Sequence, residues 1–84
     1  MVNMLKATVI VKLKEGVDDP EGRTIKHSLE LLNFEGIEDV KVAKLYEIYL
    51  DKPLEEGRKE VEEMIRKLLV NPVIHDYELR VEEI

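Results

Sequence analysis

The sequence predicts an α+β fold, with two helices packed on one face of a three- to four-stranded, mainly antiparallel sheet. Three observations carry that expectation. Leu5 to Leu13 and Val73 to Ile84 alternate apolar and polar residues with a period of two, as half-buried strands do. Ile25 to Leu32 and Leu54 to Leu69 repeat their apolar residues every three or four positions, as amphipathic helices do. Proline stands at the start of each helical run and asparagine at its end.

In the first strand, Leu5, Ala7, Val9, Val11 and Leu13 share one parity, with Lys6, Thr8 and Lys12 on the other. Ile10, with Met4 beside it, breaks the polar outer face and marks a surface that a second subunit could cover. The connection Lys14–Arg23 reads K-E-G-V-D-D-P-E-G-R. Gly16 suits the positive φ of a chain leaving a strand. Asp19 is placed to cap a helix whose first residue is Pro20, and Glu21 adds favourable charge to the first turn. Gly22 is the anomaly, because glycine inside a first turn costs about 0.5–1 kcal/mol relative to alanine. It suits a close approach to the backbone there, the other reading being a plain strand-to-helix connection.

Ile25, Ser28, Leu29 and Leu32 form the inward stripe of the first helix, with Leu31 beside it. Asn33 suits a left-handed helix end, and Phe34 is placed to fold back on the last turn. Between Ile37 and Leu50 the chain is extended in character, with Val40, Val42, Tyr46, Ile48 and Leu50 on one parity and Lys44 interrupting them. We read one long strand bent near Ala43–Lys44 rather than two short strands, since no Asn-Gly or Asp-Gly pair marks a tight turn. Leu54, Arg58, Val61, Ile65 and Leu68 follow the helical spacing of the second helix, widened by Met64 and Leu69. Its outer face carries Glu55–Lys59, Glu62–Arg66 and Glu63–Lys67, each glutamate four residues before its cation. Asn71-Pro72 stops that helix, and the last strand turns Tyr77, Leu79 and Val81 inward. The order βαβ(β)αβ is that of a ferredoxin-like relative, within a single domain spanning residues 1–84.

Composition narrows the function. Cysteine is absent, so thiol catalysis, disulfides and cysteine-ligated metals are excluded. Thirteen basic against 19 acidic residues give a net charge of −6, which argues against nucleic acid as the main partner. No apolar run approaches the roughly 20 residues of a membrane span and no signal-peptide pattern opens the chain, so a cytoplasmic protein is expected. Gly16 and Gly22 are too sparse for a phosphate-cradling loop. His27 and His75 lie on different elements with no carboxylate spacing for a metal triad, and Ser28 sits on a helix stripe rather than a strained elbow. The residues supply no catalytic centre. A binding role fits better, and a core marginal at 84 residues favours self-association.

Two blocks point to a family. V-K-L-K-E-G-V-D-D-P-E-G-R at residues 11–23 and L-L-V-N-P-V-I-H-D-Y at residues 68–77, followed by E-L-R-V-E-E-I, resemble the PurS family. That family forms the small subunit of phosphoribosylformylglycinamidine synthase in purine biosynthesis. The resemblance runs over essentially the whole chain, with Leu13-Lys14, Asp19-Pro20, Gly22 and Asn71-Pro72-Val73-Ile74 most specific. It implies a non-catalytic subunit that brings together the glutaminase PurQ and the amidation subunit PurL and supports ammonia transfer between them. The resemblance further implies dimers or tetramers, with no cofactor in this chain and ATP, Mg and glutamine used by the complex. Asn33 and Ala43 stand where the family commonly has glycine. Lys14, Asp19, Gly22 and Arg23 are the expected partner-binding residues, with Asp19-Pro20 shaping the loop. The other reading compatible with the fold is a small-molecule-binding regulatory domain of ferredoxin-like type.

Overall fold

A computed structural model describes residues 4–84. In chain order the elements are β1 (Met4–Leu13), α1 (Pro20–Leu31), β2 (Ala43–Asp51), α2 (Leu54–Met64), a π-helical turn (Ile65–Leu69) and β3 (His75–Glu83). The three strands form one sheet in the order β2-β1-β3, with β1 central and antiparallel to both neighbours. The α+β class, the two helices and the antiparallel sheet are as the sequence predicts.

Register follows from the apolar parity. Leu5, Ala7, Val9 and Val11 pair with Leu50, Ile48, Tyr46 and Lys44 on one side. On the other side they pair with Glu83, Val81, Leu79 and Tyr77. A slip of one residue would turn this whole set to the opposite face. The β1 residues are almost fully buried, and α2 covers them through Val61 and Ile65. Each of those two side chains contributes roughly 1.5–3 kcal/mol by leaving water. Gly57 lets α2 lie close, since a Cβ there would run into the Leu5 side chain and touch Leu50.

Four expectations are corrected. The extended run does not make one long strand: β2 begins only at Ala43, because the Val42 N–H is taken by the Asp19 carboxylate instead of a neighbouring strand. Leu68 leaves the buried stripe and is 83% exposed. The Val70 N–H bonds to the Ile65 carbonyl at 3.0 Å, five residues back, and the widened turn shifts the helical phase so that Val70 enters the core. Arg66 turns to Glu63 at 3.6 Å rather than to Glu62, while the predicted Glu63–Lys67 pair forms at 3.7 Å.

The fourth correction concerns the apolar stripe of α1. Ile25, Leu31 and Leu32 are exposed, Ser28 with them, and Leu29 is only half-buried. No α1 side chain enters the core. Asn33 does end the helix at φ 71°, and the Phe34 N–H folds back to the Leu29 carbonyl, yet the Phe34 ring stays 57% exposed. The molecule is correspondingly long, with extents of 55 × 27 × 15 Å and a radius of gyration of 16.9 Å. A compact chain of this length would have a radius near 12 Å. Ten strand residues span about 33 Å and twelve helical residues about 18 Å. Their sum approaches the long axis, so α1 stands as an arm beyond the end of the sheet.

Candidate functional site

The base of that arm is the connection singled out by sequence. Gly16 takes φ 86°, and the Val17 N–H bonds to the Lys14 carbonyl, so the chain turns sharply after β1. The Lys14 N–H bonds to the Ile74 carbonyl at 2.8 Å, which ties this turn to the one before β3.

Asp19 holds two segments at once. Its Oδ1 accepts from the Gly22 N–H at 2.8 Å, capping α1, and its Oδ2 accepts from the Val42 N–H at 2.9 Å. These two backbone bonds, with Lys41 nearby, hold the Asp19 carboxyl below its ordinary value, against the smaller opposing effect of desolvation. The carboxylate is largely buried. Gly22 is buried as well, and the group approaching its backbone is the Val40 carbonyl. The anomaly in the first turn thus has its cause within the chain.

Of the four expected residues, the structure gathers Asp19, Gly22 and Arg23 at one loop and sets Lys14 at its entrance. Asp19 and Gly22 shape the loop, while Arg23 is exposed and Lys14 half-buried. The Arg23 guanidinium meets Asp18 at 2.7 Å, both side chains about two-thirds exposed. Around them, Gly16, Val17, Asp18, Arg23, Lys26 and Lys41 line an open concavity of about 440 Å³. On the other side of Asp19 a second concavity, about 260 Å³, runs under Pro20 to Val11, Lys44, Tyr46 and His75. Val40 and Val42 were not legible as parts of this site, because they act through main-chain groups that leave no mark in side-chain chemistry.

The two histidines lie on different elements, His27 on α1 and His75 at the start of β3. The His75 Nδ1 accepts from the Asn71 N–H at 3.0 Å, within a turn where the Asn71 side chain also receives the Val73 N–H. His27 is exposed on α1. Among the described residues no three potential ligands come together, and no helix is long and apolar enough to cross a membrane.

Comparison with known proteins covers nearly the whole chain. The family model for PurS, phosphoribosylformylglycinamidine (FGAM) synthase, matches residues 6–83. The PurS subunit of this synthase from Methanocaldococcus jannaschii is 54% identical over 82 residues, covering 96% of this chain and 99% of that one. The Bacillus subtilis PurS subunit is 40% identical over 81 residues, covering 96% of each. The crystal structure of M. jannaschii PurS superposes with a TM-score of 0.83 at 52% identity, covering 95% of this chain and 98% of that one. A chain of PurLQS from Thermotoga maritima superposes with a TM-score of 0.80 at 27% identity, covering 96% and 98%. The chain belongs to the PurS family of phosphoribosylformylglycinamidine synthase subunits.

Proposed function

We propose that this chain is the non-catalytic coupling subunit of its synthase, bridging a PurQ glutaminase and a PurL amidation subunit in the cytoplasm. The observation that carries this reading is the likeness, over nearly all of both chains, to a chain of the T. maritima PurLQS assembly. In this role the subunit supports passage of the ammonia released from glutamine to the subunit that consumes ATP, with Mg and glutamine used by the complex rather than by this chain. The contribution of this chain is surface and shape. Lys14 and Arg23 face a partner at the loop that Asp19 and Gly22 hold in place.

The subunit self-associates as a dimer or tetramer. Met4, Leu45 and Tyr49 are exposed on the outer face of the sheet, where Ile10 pairs with Leu45. An apolar strip of this kind on a small chain favours covering by another subunit.

Reconstitution with the matching PurL and PurQ chains tests the role. Glutamine-dependent amidation should require this chain, whereas ammonia-dependent amidation by PurL should require it much less. Equal use of glutamine by PurL and PurQ alone would overturn the coupling role.

A further inference from the structure

β3 (His75–Glu83) has β1 on one side and no strand among the described residues on the other. The Ile84 N–H bonds to the Met4 carbonyl at 3.0 Å and the Lys14 N–H to the Ile74 carbonyl at 2.8 Å, which fixes the phase of the ladder. Even-numbered residues of β3 turn their main-chain groups to β1, and odd-numbered ones turn theirs outward. Tyr77, Leu79, Val81 and Glu83 therefore present a row of N–H and C=O groups, about 6.8 Å apart. These groups find no main-chain partner among the described residues. Such an edge is a ready template for another strand.

Two features beside that edge limit what it would accept. On the outer face β3 shows Asp76, Glu78, Arg80 and Glu82, three carboxylates to one cation. The rest of the chain answers them poorly. Lys12 meets Glu78 only at 3.9 Å, and Lys6, which stands opposite Glu82, turns to Glu47 at 2.9 Å. Asp76 and Glu82 form no ion pair among the described residues. On the inner face Tyr77, Leu79 and Val81 continue the apolar row, and a hollow of about 240 Å³ opens next to Tyr77. Its other walls are Glu62, Ile65, Arg66, Val70 and Pro72, with no part of β1 or β2, so it lies toward the free edge. The widened π-helical turn that brings Val70 into the core shapes this hollow.

We propose that the free edge of β3 takes an extended segment of a partner protein as a fourth strand, a segment that alternates cationic with apolar side chains. Its cations lie opposite Asp76, Glu78 and Glu82. Its apolar side chains lie beside Tyr77, Leu79 and Val81, with one seated in the hollow. Main-chain bonds hold such a segment, while the hollow and the carboxylate row select it. A second copy of this chain is the poorer occupant. With β3 laid antiparallel on its own copy over its full length, Glu78 would meet Arg80, but Asp76 would meet Glu82 at both ends. Each strand would also bring its own excess of carboxylates, and like charges directly opposite destabilise a pair of strands. The Lys14 N–H bond to Ile74 joins the start of β3 to the loop whose Lys14 and Arg23 face a synthase partner, which sets both within one interface. The inference rests on that coupling role and adds a contact of its own.

Hydrogen exchange read amide by amide tests the pairing, in the isolated chain and in the complete assembly with PurL and PurQ. In the isolated chain the amides of Glu78, Arg80 and Glu82 should exchange slowly and those of Tyr77, Leu79 and Val81 fast. In the assembly, quenched and dissociated before reading, the latter three should exchange about tenfold more slowly or less. Outward amides already slow in the isolated chain would give the edge to a second copy and overturn the proposal. Outward amides that stay fast in an assembly active with glutamine would overturn it while leaving the coupling role intact. Failure of the three chains to assemble would overturn both. A Glu78→Lys, Glu82→Lys chain that melts as a folded protein should raise the dissociation constant of the assembly about tenfold, because two attractive pairs become repulsive. An unchanged constant would overturn the proposed partner chemistry.

Discussion

Gly22 lies so close to Val40 that a Cβ on the glycine would come far inside van der Waals contact with the valine's carbonyl oxygen. The obstacle is backbone, and backbone clamped by Asp19 on both sides cannot step aside. Gly22→Ala should therefore destabilise the chain by about 1–3 kcal/mol, even though alanine is the better helix former. At Gly57 the obstacle is the far end of the Leu5 side chain, which can change rotamer. Gly57→Ala should cost less, with part of its strain offset by the roughly 1 kcal/mol of helix propensity it gains. Urea unfolding of both variants checks the order. A Gly22→Ala chain as stable as wild type would show that the arm's base is not rigid.

That pair also marks how far the sequence could be read. Local signals were reliable: the parity of Leu5 to Val11, the Asp19-Pro20 helix start and the left-handed Asn33 all stand in the structure. Gly22 announced a close approach but not its partner, because a main-chain carbonyl at Val40 has no sequence signature. The stripe of α1 was legible as apolar, whereas its direction was not. Periodicity says that one side of a helix avoids water and says nothing about which surface, in which chain, provides the cover. Leu68 failed for a different reason. A π-turn changes the phase by one residue, and nothing in Ile65–Leu69 distinguishes it from an ordinary helix end.

The Asp19 carboxyl is held below its ordinary value of 3.8 by the backbone donors of Gly22 and Val42. A depressed folded-state value contributes stability that is complete above the unfolded value and lost as pH falls through the folded one. The melting temperature should thus fall as pH drops below about 4, beyond the loss from other carboxylates. Asp19→Asn puts an NH2 donor where one of the two accepting oxygens stands, so one of the two N–H groups loses its acceptor. It should melt about 4–8 °C lower than wild type at neutral pH and converge on it in acid. A constant gap between the two melting curves down to strong acid would show that the charge on Asp19 is not what holds the base of the arm.

Leu68 and Ile65 share a helical stripe in the sequence, but Ile65 is 2% exposed and Leu68 83%. Ile65→Ala should cost about 2–5 kcal/mol, the range for truncating a packed core side chain. Leu68→Ala should change stability by less than about 0.5 kcal/mol, as for a surface substitution. Chemical denaturation of the two variants gives the ratio, and comparable losses would place Leu68 in the core.

Ile10 lies on the outer face, opposite Leu45 on one neighbouring strand and Glu78 on the other. Ile10→Glu brings a carboxylate beside Glu78 and into the apolar strip with Met4, Leu45 and Tyr49. Like charges directly opposite each other destabilise a sheet pair by a fraction of a kcal/mol to about 1 kcal/mol, so the fold should survive. Association through this face should not. Sedimentation of the variant should show tetramers built through this face reduced to dimers. Persistence of tetramers in the variant would move that contact elsewhere.

The last test separates shaping from contact at the arm's base. Arg23 and Asp18 meet at 2.7 Å, but both side chains are about two-thirds exposed, and a pair so hydrated is worth roughly 0–1 kcal/mol. Arg23→Ala should therefore leave the melting temperature nearly unchanged. The guanidinium stands at the rim of an open concavity that Lys26 and Lys41 also line, with Asp18 paired to Arg23 and Asp39 to Lys41, so a partner's carboxylate would bind there by competing with those exposed pairs. An arginine desolvated at such a contact commonly dominates binding, because it leaves the partner's charge unpaired when removed. Arg23→Ala should weaken assembly with PurL and PurQ at least tenfold, as measured by titrating glutamine-dependent activity against subunit concentration. Asp18→Ala, which removes only the intramolecular partner, should weaken it far less. A lowered melting temperature with unchanged assembly would make Arg23 a structural residue and move the partner-facing surface away from this loop.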